Sequence, residues 1–223
     1  MSCCSPSGYG AVFGAKLAEK DARRYRRKGL PASAEWLRDR LVAGGVDSQT
    51  VLEVGGGVGG IQVELLTAGA AASTNVEFVD SYEGPARTLL EERGLSDRVE
   101  RRIGDFAESH DEAPEADIVV MHRVLCCYAD ADGLMAAACL HARDRVAFTI
   151  PRRTWWIRAA MWLANAWMWL RRIAFRAYVH RPDAIERVAQ AQGFRVDQRS
   201  QGWFWENTVL QRNGYGDPTR AMQ

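Results

Sequence analysis

Residues 52–60, LEVGGGVGG, decide how the rest of the chain is interpreted. They join a short β-rich run, TVLEV at residues 50–54, to a helix-forming run, IQVELLTAG at residues 61–69. A glycine-rich turn between a strand and a helix exposes backbone N–H groups at the carboxyl edge of a sheet, where open α/β sheets bind ligands. The segment therefore predicts a ligand-binding loop in an α/β fold.

The alternation of strand and helix patterns continues beyond this loop. A second helical run covers residues 84–94, and further β-rich runs cover residues 74–79, 98–105, 116–124 and 145–150. Helices between successive strands predict a parallel sheet that is covered on both faces. Two last β-rich runs, residues 194–200 and 205–212, are expected to close the sheet as an antiparallel hairpin. We therefore expect a Rossmann-like α/β fold with a seven-stranded, mostly parallel sheet.

Length and composition are those of one folded domain with short extensions. The chain has 223 residues, of which 47% are apolar and 26% charged, and its net charge is +1. These values are typical of globular proteins, and the lack of a basic excess argues against a dedicated nucleic-acid binder. We expect an N-terminal helical cap at residues 1–45, a main domain at 46–213 with a helical insertion at 154–178, and a flexible tail at 214–223.

The glycine spacing fits two classes of ligand. Gly55, Gly57 and Gly60 match GxGxxG, the dinucleotide fingerprint, whereas Glu53, Gly55, Gly57 and Gly59 match (D/E)xGxGxG, the pattern of S-adenosylmethionine (SAM) loops. A dinucleotide brings a pyrophosphate, which favours the positive end of a helix. SAM instead brings a sulfonium and an ammonium, which a carboxylate attracts. Glu53 therefore favours SAM; a nicotinamide or flavin dinucleotide and a turn without a ligand are the alternatives.

Two further acidic residues also favour SAM. Glu77 lies at the predicted end of the second strand, where its carboxylate can accept hydrogen bonds from both ribose hydroxyls; Asp80 is the alternative for this role. Asp105 follows the third strand and can accept from the adenine amino group, while Phe106 packs on the base or offers its backbone N–H. Acids at successive strand ends lie along one edge of a parallel sheet.

The stretch from residue 50 to residue 151 resembles the core of class I SAM-dependent methyltransferases. Within that superfamily the chain resembles magnesium-protoporphyrin O-methyltransferases in LEVGGGVGG, in GDF at residues 104–106 and in HRVLCCY at residues 122–128. The resemblance implies a Rossmann-like fold, SAM as the cofactor and transfer of its methyl group to a small acceptor.

Candidate catalytic residues follow the fourth strand, above the expected position of the methyl group. Methyl transfer from a sulfonium is an in-line displacement, and a carboxylate acceptor needs no base, whereas a phenol, hydroxyl or acidic carbon does. His122 is the best candidate base because the ordinary histidine pKa lies near working pH. Arg123 can hold an acidic group of the acceptor, and Tyr128 can line its pocket. A strand-end histidine, a salt-bridged arginine and a core tyrosine are the structural alternatives.

A tryptophan-rich run lies between the fifth strand and the next helix. Five of the eight tryptophans fall between Trp155 and Trp169, in a segment predicted as one long helix. Its polar residues Arg158, Asn165 and Arg172 recur every seven residues and form one narrow stripe. Three interpretations stay open, namely a lid over an apolar acceptor pocket, a contact with a membrane surface or a second subunit, and ordinary core. Flanking arginines suit an acceptor with acidic groups.

The N-terminal segment carries two further features. Tyr9, Phe13 and Tyr25 are expected to close over the cofactor, as N-terminal helices of this superfamily often do. The basic run RRYRRK at residues 23–28 can contact an acid or a phosphate, or can simply face solvent at a helix end.

The cysteines indicate a reducing compartment. Their number, five, is odd, and the chain shows neither a secretory signal nor an apolar stretch of 18 residues, so we expect a cytoplasmic protein. Peripheral membrane contact through residues 154–178 and a homodimer are further options. The pairs Cys3–Cys4 and Cys126–Cys127 could bind a soft metal if they met, but adjacent cysteines lack the CxxC spacing, and no metal is expected.

These observations together predict a SAM-dependent methyltransferase acting on a small, largely apolar acceptor, with oxygen as the favoured acceptor atom and a porphyrin-like carboxylate as one possibility. The enzymatic alternative is C- or O-methylation of an isoprenoid quinone precursor. The alternative outside catalysis is a SAM-binding or membrane-associated module.

Overall fold

The computed structural model of the chain describes residues 6–214 and shows one seven-stranded sheet. The strands are β1 (Thr50–Val54), β2 (Ala72–Glu77), β3 (Val99–Ile103), β4 (Ala116–Met121), β5 (Ala142–Pro151), β6 (Phe194–Gln201) and β7 (Trp205–Arg212). Their order in the sheet is β3-β2-β1-β4-β5-β7-β6. Strand β7 pairs antiparallel with both β5 and β6, and the pairs among β1–β5 are parallel. The expected closing hairpin is confirmed.

Helices cover both faces of this sheet. They are α1 (Pro6–Val12), α2 (Ala15–Lys28), α3 (Ala32–Ala43), α4 (Gly60–Thr67), α5 (Glu83–Arg93), α6 (Phe106–Ser109), α7 (Ala131–His141), α8 (Trp155–Leu170) and α9 (Pro182–Ala191). The residue pattern predicted no helix at α7, because its side chains are small or apolar on every side and most of them are buried. An amphipathic stripe, the usual signal of a helix, is therefore missing there.

Side-chain alternation along the strands divides the core into two layers. On β4, Ile118 and Val120 pack into a cluster with helices α2–α5, whereas Val119 and Met121 pack into a second cluster with α7 and α9. This period of two is what a strand buried on both faces requires. The expected arrangement, a sheet covered by helices on both faces, is confirmed.

The N-terminal helices share the first of these clusters with the sheet. Ala18 and Ala22 of α2 and Leu37 and Leu41 of α3 are buried in the same cluster as Val51 of β1. The described part of the predicted cap, residues 6–45, therefore packs directly on the main domain. Of the predicted tail, only residue 214 falls within the described residues.

The tryptophan-rich helix is shorter than the sequence pattern predicts. Helix α8 ends at Leu170, and Arg172 adopts a left-handed φ of 57°. The following segment turns back along the helix because the Asn165 side chain accepts from the backbone N–H of Ala177 at 2.9 Å and donates to its C=O at 2.8 Å. This turn buries Phe175 beside the N-terminal helix α1. The single helix over residues 154–178 is a wrong prediction, since long-range contacts end it early.

Candidate cofactor and acceptor site

The glycine-rich loop joins β1 to α4 in a conformation that only glycine adopts readily. Gly55, Gly57 and Gly59 have φ values of 62°, 59° and 77°, whereas Gly60 begins the helix without a left-handed φ. A Cβ atom on Gly55 would also lie 2.8 Å from Val124. The left-handed glycines are those of the (D/E)xGxGxG pattern, and they leave the loop backbone open toward the carboxyl edge of the sheet.

Glu77 is the last residue of β2 and supports this loop. Its Oε2 accepts from the N–H of Gly57 at 2.8 Å, and its Oε1 accepts from the N–H of Phe78 at 3.0 Å. Burial raises the pKa of Glu77, and the hydrogen bond from Gly57 opposes the rise. Asp80, the sequence alternative, is exposed and lies on the wall of a neighbouring cavity. The geometry therefore favours Glu77 for the ribose, because its carboxylate is fixed on the wall of the main cavity.

Glu53 lies beneath the loop. Burial raises its pKa to about 8, although the charge of Arg101 acts against the rise. Its Oε2 has no hydrogen-bond partner among residues 6–214, and the carboxyl carbon would lie 2.6 Å from a Cβ atom on Gly56. A buried oxygen without a partner favours a cationic or hydrogen-bonding ligand, directly or through water.

Arg101 on β3 also positions the loop, and the sequence analysis did not single it out. Its Nε donates to Glu83 at 2.8 Å, and its guanidinium donates to the C=O of Gly57 at 3.0 Å. Gly57 is thus held by Glu77 at its N–H and by Arg101 at its C=O. The sequence does show a basic residue inside the predicted third strand. Its contact with Gly57 could not be deduced, because it depends on the pairing of β2 with β3.

Asp105 and Phe106 follow β3, as expected, but they face different spaces. Asp105 caps helix α6: its Oδ1 accepts from the N–H of Ala107 at 3.0 Å and from the hydroxyl of Tyr128 at 2.9 Å. Asp105 lines the neighbouring cavity, whereas Phe106 and Tyr128 line the main one. Tyr128, which the sequence predicts in the acceptor pocket, therefore donates a hydrogen bond to Asp105, which the sequence predicts beside the cofactor.

The main cavity has a volume of about 400 Å³ and extends from the glycine loop to the end of β4. Helices α1 and α2 cover it, with Tyr9, Phe13 and Tyr25 on its wall, as the sequence predicts. Hydrogen bonds from Tyr25 to Glu64 (2.9 Å) and from Tyr82 to Asp21 (3.1 Å) hold α2 in place. The wall also carries charged and imidazole groups, which belong to Asp21, Arg24, Glu53, Glu77, His122 and Arg123.

His122 also lines this cavity, but its environment removes the reason for proposing it as a base. Its Nε2 lies 2.9 Å from the hydroxyl oxygen of Ser33. Burial, and after it the charge of Arg123, lowers the pKa of His122 to about 3. The ring is therefore neutral at physiological pH and a weak proton acceptor. The pKa does not keep its ordinary value because burial and the charge of Arg123 both disfavour the protonated ring.

Arg123 forms no ion pair with a residue of the range 6–214, and its guanidinium donates to the hydroxyl of Ser33 at 3.4 Å. Its φ is 63°, its N–H donates to Thr149 at 2.8 Å, and its guanidinium lies 4.8 Å from the ring centre of Trp205. The buried Nε has no hydrogen-bond partner among the described residues, and the salt-bridged arginine expected as one alternative is not seen there. Burial and then the charge of Arg24 lower the pKa of Arg123. Such a cation favours an anionic ligand.

His180 and the tryptophan-rich segment lie outside the reacting space. His180 packs at the edge of the site, where its Nε2 lies 2.8 Å from the backbone oxygen of Tyr128. No residue of the range 154–178 is among the described residues that line the main cavity, so the tryptophan-rich segment is not a lid on its wall. Its Phe175 instead packs behind Tyr9 and Phe13, at ring-centre distances of 5.1 and 5.5 Å.

The second cysteine pair lies beside Arg123. The Sγ atoms of Cys126 and Cys127 are 4.0 Å apart, and Cys127 lines the main cavity. Cys3 and Cys4 lie outside the described residues, so a meeting of the two pairs stays a prediction. Within residues 6–214, no three His, Cys, Asp or Glu side chains are grouped as metal ligands would be.

The fold and the acidic loop site define a SAM-dependent methyltransferase. Residues 19–199 match the family described as methyltransferase domain, and the chain belongs to this family. SAM is its cofactor. The residues fit this cofactor: Glu77 and Phe106 lie where the nucleoside would be held, and the unpartnered Glu53 oxygen lies beneath the loop that would hold the methionyl end.

Solved structures share the fold at low sequence identity. The magnesium protoporphyrin IX methyltransferase of Synechocystis PCC 6803 with bound SAH has a TM-score of 0.64 and 17% identity, over 90% of this chain and 84% of that one. An O-methyltransferase family protein of Burkholderia thailandensis has a TM-score of 0.70 and 15% identity, over 92% and 62%. The [4+2]-cyclase SpnF has a TM-score of 0.60 and 13% identity, over 80% and 79%. No curated protein sequence is significantly similar to the chain.

Proposed function

We propose that the enzyme transfers the SAM methyl group to an oxygen of a small, largely apolar acceptor that carries an acidic group, with a carboxylate as the favoured acceptor. The observation that carries this proposal is Arg123, a half-buried arginine on the wall of the cavity whose buried Nε has no partner among the described residues. An acceptor carboxylate would supply the missing counterion. A charge-assisted pair of this kind gives orientation as well as affinity.

The state of His122 supports the same acceptor class. A carboxylate is already a nucleophile at neutral pH, so its methylation requires orientation but no proton removal. A phenol or an alcohol would require a base, and the pKa of His122 is lowered to about 3. The neutral imidazole can still orient an acceptor oxygen, since one of its nitrogens carries a proton.

The apolar character of the acceptor is supported by the rest of the wall. Tyr9, Phe13, Val124 and Tyr128 line the cavity around the charged groups. Similar solved structures include a methyltransferase of magnesium protoporphyrin IX and an O-methyltransferase family protein, which agree with oxygen as the acceptor atom.

Two alternatives follow from specific features of the site. A quinol acceptor would need a base to take up its hydroxyl proton, and His122, which lies 2.9 Å from the hydroxyl oxygen of Ser33, could do so. The likeness in fold to a [4+2]-cyclase leaves room for SAM binding without methyl transfer. Both alternatives make predictions that differ from those of a carboxylate acceptor.

The test is a SAH-release assay with matched acceptors at saturating SAM. Protoporphyrin and octanoate are compared with protoporphyrin dimethyl ester and octanamide, and with a hydroquinone. We expect turnover with the free acids alone, alkali-labile methyl ester products, and a kcat that does not change between pH 6 and pH 8. Alkali-stable ether products from the hydroquinone, or equal turnover of acids and amides, would overturn the proposal. SAM binding with no turnover of any acceptor would favour the non-catalytic alternative.

A further inference from the structure

Helix α8 exposes an apolar surface that its own chain does not cover. Ile157 and Met168 face the protein and are buried, whereas Trp155, Trp162 and Trp169 are 81%, 68% and 70% exposed. We call the exposed set the tryptophan face; its members are Trp155, Trp162, Leu163, Trp167, Trp169, Leu170 and Trp203. At 3.6 residues per turn, the members on α8 fill a continuous arc of about 160° of the helix circumference.

The β6–β7 turn extends this surface. The Trp203 ring stacks on Trp156 at a ring-centre distance of 4.5 Å and is itself 77% exposed. The turn is fixed to the start of α8, because the backbone N–H of Arg152 donates to the C=O of Phe204 at 2.8 Å. Single exposed apolar residues are common on protein surfaces, but a continuous set of this size marks a binding surface.

The chain segment that carries α8 has charges of one sign. No Asp or Glu occurs between Asp144 and Asp183, and the residues in between include the arginines 152, 153, 158, 171, 172, 176 and 181. Arg171 lies over the Trp167 ring, with 5.5 Å between its guanidinium carbon and the ring centre. The net charge of the whole chain is only +1, so this basic zone is local.

We propose that the tryptophan face binds the surface of an anionic lipid bilayer, with α8 lying in the plane of the interface. Tryptophan rings and arginine side chains are suited to this depth, where the rings meet the acyl boundary and the guanidinium groups meet phosphates. A second copy of this chain would bring two arginine-rich zones together, which like-charge repulsion opposes. In the described part of the chain, no helix has the length and apolar character needed to cross a membrane.

This orientation places the bilayer next to the cavity. The segment that returns from α8 is fixed to it by Asn165 and packs Phe175 against Tyr9 and Phe13, which line the cavity. Helix α8 and the returning segment with Phe175 lie between the tryptophan face and that wall. An apolar acceptor dissolved in the bilayer would therefore be concentrated close to the enzyme.

The test is flotation with vesicles of phosphatidylcholine alone and of phosphatidylcholine mixed with phosphatidylglycerol. We expect binding to the anionic vesicles, at least about tenfold weaker for the Trp162→Ser, Trp169→Ser double variant. The Arg171→Glu, Arg172→Glu double variant is expected to bind the anionic vesicles more weakly, by about fivefold for each positive charge that is lost. Leu140→Ser and Arg23→Glu with Arg27→Glu change exposed residues outside this surface and are the matched controls.

Two outcomes would overturn the proposal. The first is no flotation of the wild-type chain with either vesicle, or equal flotation of the tryptophan-face variants and the controls. The second is a lipid-free dimer in sedimentation velocity that the Trp162→Ser, Trp169→Ser variant dissolves, which would assign the face to a second copy. SAM binding by every variant serves as the folding check, because none of these residues lines the main cavity.

Discussion

The two halves of the main cavity differ in how their polar groups are satisfied. On the side of β1–β3, Glu77 and Arg101 already hold the glycine loop through Gly57. On the side of β4, Arg123 has a buried Nε without a partner among the described residues, and His122 is held neutral. In the first half the protein itself fixes the loop backbone and leaves a Glu53 oxygen without a partner among the described residues, whereas in the second half the group without a partner belongs to the Arg123 cation. We call them the donor half and the acceptor half.

This difference indicates which half would bind the methyl donor and which the acceptor. Acids accumulate on the strands beside the glycine loop, where a cationic methyl donor would bind, and the cation Arg123 follows β4, on the side that we assign to the acceptor. A methyl transfer between them is favoured by holding both partners in line, since SAM is already activated. Variants in the two halves should therefore change the affinity for one reactant and leave the other unchanged.

The largest effect is expected from Glu77→Gln in the donor half. The variant loses the carboxylate that would hold the ribose and leaves the N–H of Gly57 facing an amide, so we expect SAM to bind about 100-fold more weakly by calorimetry. Asp80→Asn, which changes the exposed alternative carboxylate, is the control and should bind SAM as the wild type does. A stronger effect of Asp80→Asn than of Glu77→Gln would exchange their roles.

A somewhat smaller effect is expected from Arg123→Gln in the acceptor half. Loss of the charge should raise the KM for a carboxylate acceptor about 30-fold, the value of one charged hydrogen bond, and leave the Kd for SAM unchanged. Arg152→Gln, at an arginine that does not line the cavity, is the matched control. A loss of SAM affinity in Arg123→Gln would erase the distinction between the halves.

Gly57→Ala tests whether the backbone conformation of the loop in the donor half matters for SAM binding. Its φ of 59° disfavours alanine, and the new Cβ would meet Tyr82 at 3.3 Å, so we expect SAM to bind about tenfold more weakly. Gly94→Ala introduces a similar strain at a φ of 64°, where nothing lies within 4 Å. Both variants should lose about 1 kcal/mol of unfolding free energy. Equal SAM affinity in the two would show that the loop geometry does not matter for the cofactor.

The smallest effect is a pH dependence that arises from Glu53. Its pKa is raised to about 8, so it is largely protonated at pH 7, and a cationic ligand would lower this pKa on binding. SAM affinity should therefore increase as the pH rises toward 8 and level off above it. Because the raised pKa also favours the folded state at low pH, stability should decrease over the same interval. Glu53→Gln should remove the trend in SAM affinity and reduce the trend in stability, to which the raised pKa of Glu77 also contributes; calorimetry and thermal unfolding measured from pH 6 to pH 9 check them.

Local spacing was sufficient to bring the glycine loop and Glu77 together in one predicted site. The glycines of the loop and the acid at the end of β2 lie within about 25 residues of sequence, and each has a direct physical reason to be there. The same is true of α9, whose buried Ile185 and Ala189 lie four residues apart and so share one face of the helix. In these segments local and tertiary preferences agree.

Features set by distant contacts could not be predicted in this way. The end of α8 at Leu170 depends on the bond between Asn165 and Ala177, and the contact of Arg101 with Gly57 depends on strand pairing. The lowered pKa of His122 depends on burial beside Ser33, which is 89 positions away. Sequence names the residue types of the acceptor half, but only the fold determines their charge and exposure.

The most direct test of the account is a calorimetric titration of the wild-type chain with SAM, with NAD as the comparison ligand. We predict one SAM site for each chain, displaced by SAH, with no heat of binding from NAD. Binding of NAD in place of SAM, or binding of neither, would contradict the assignment of the acidic half of the cavity to a cationic methyl donor.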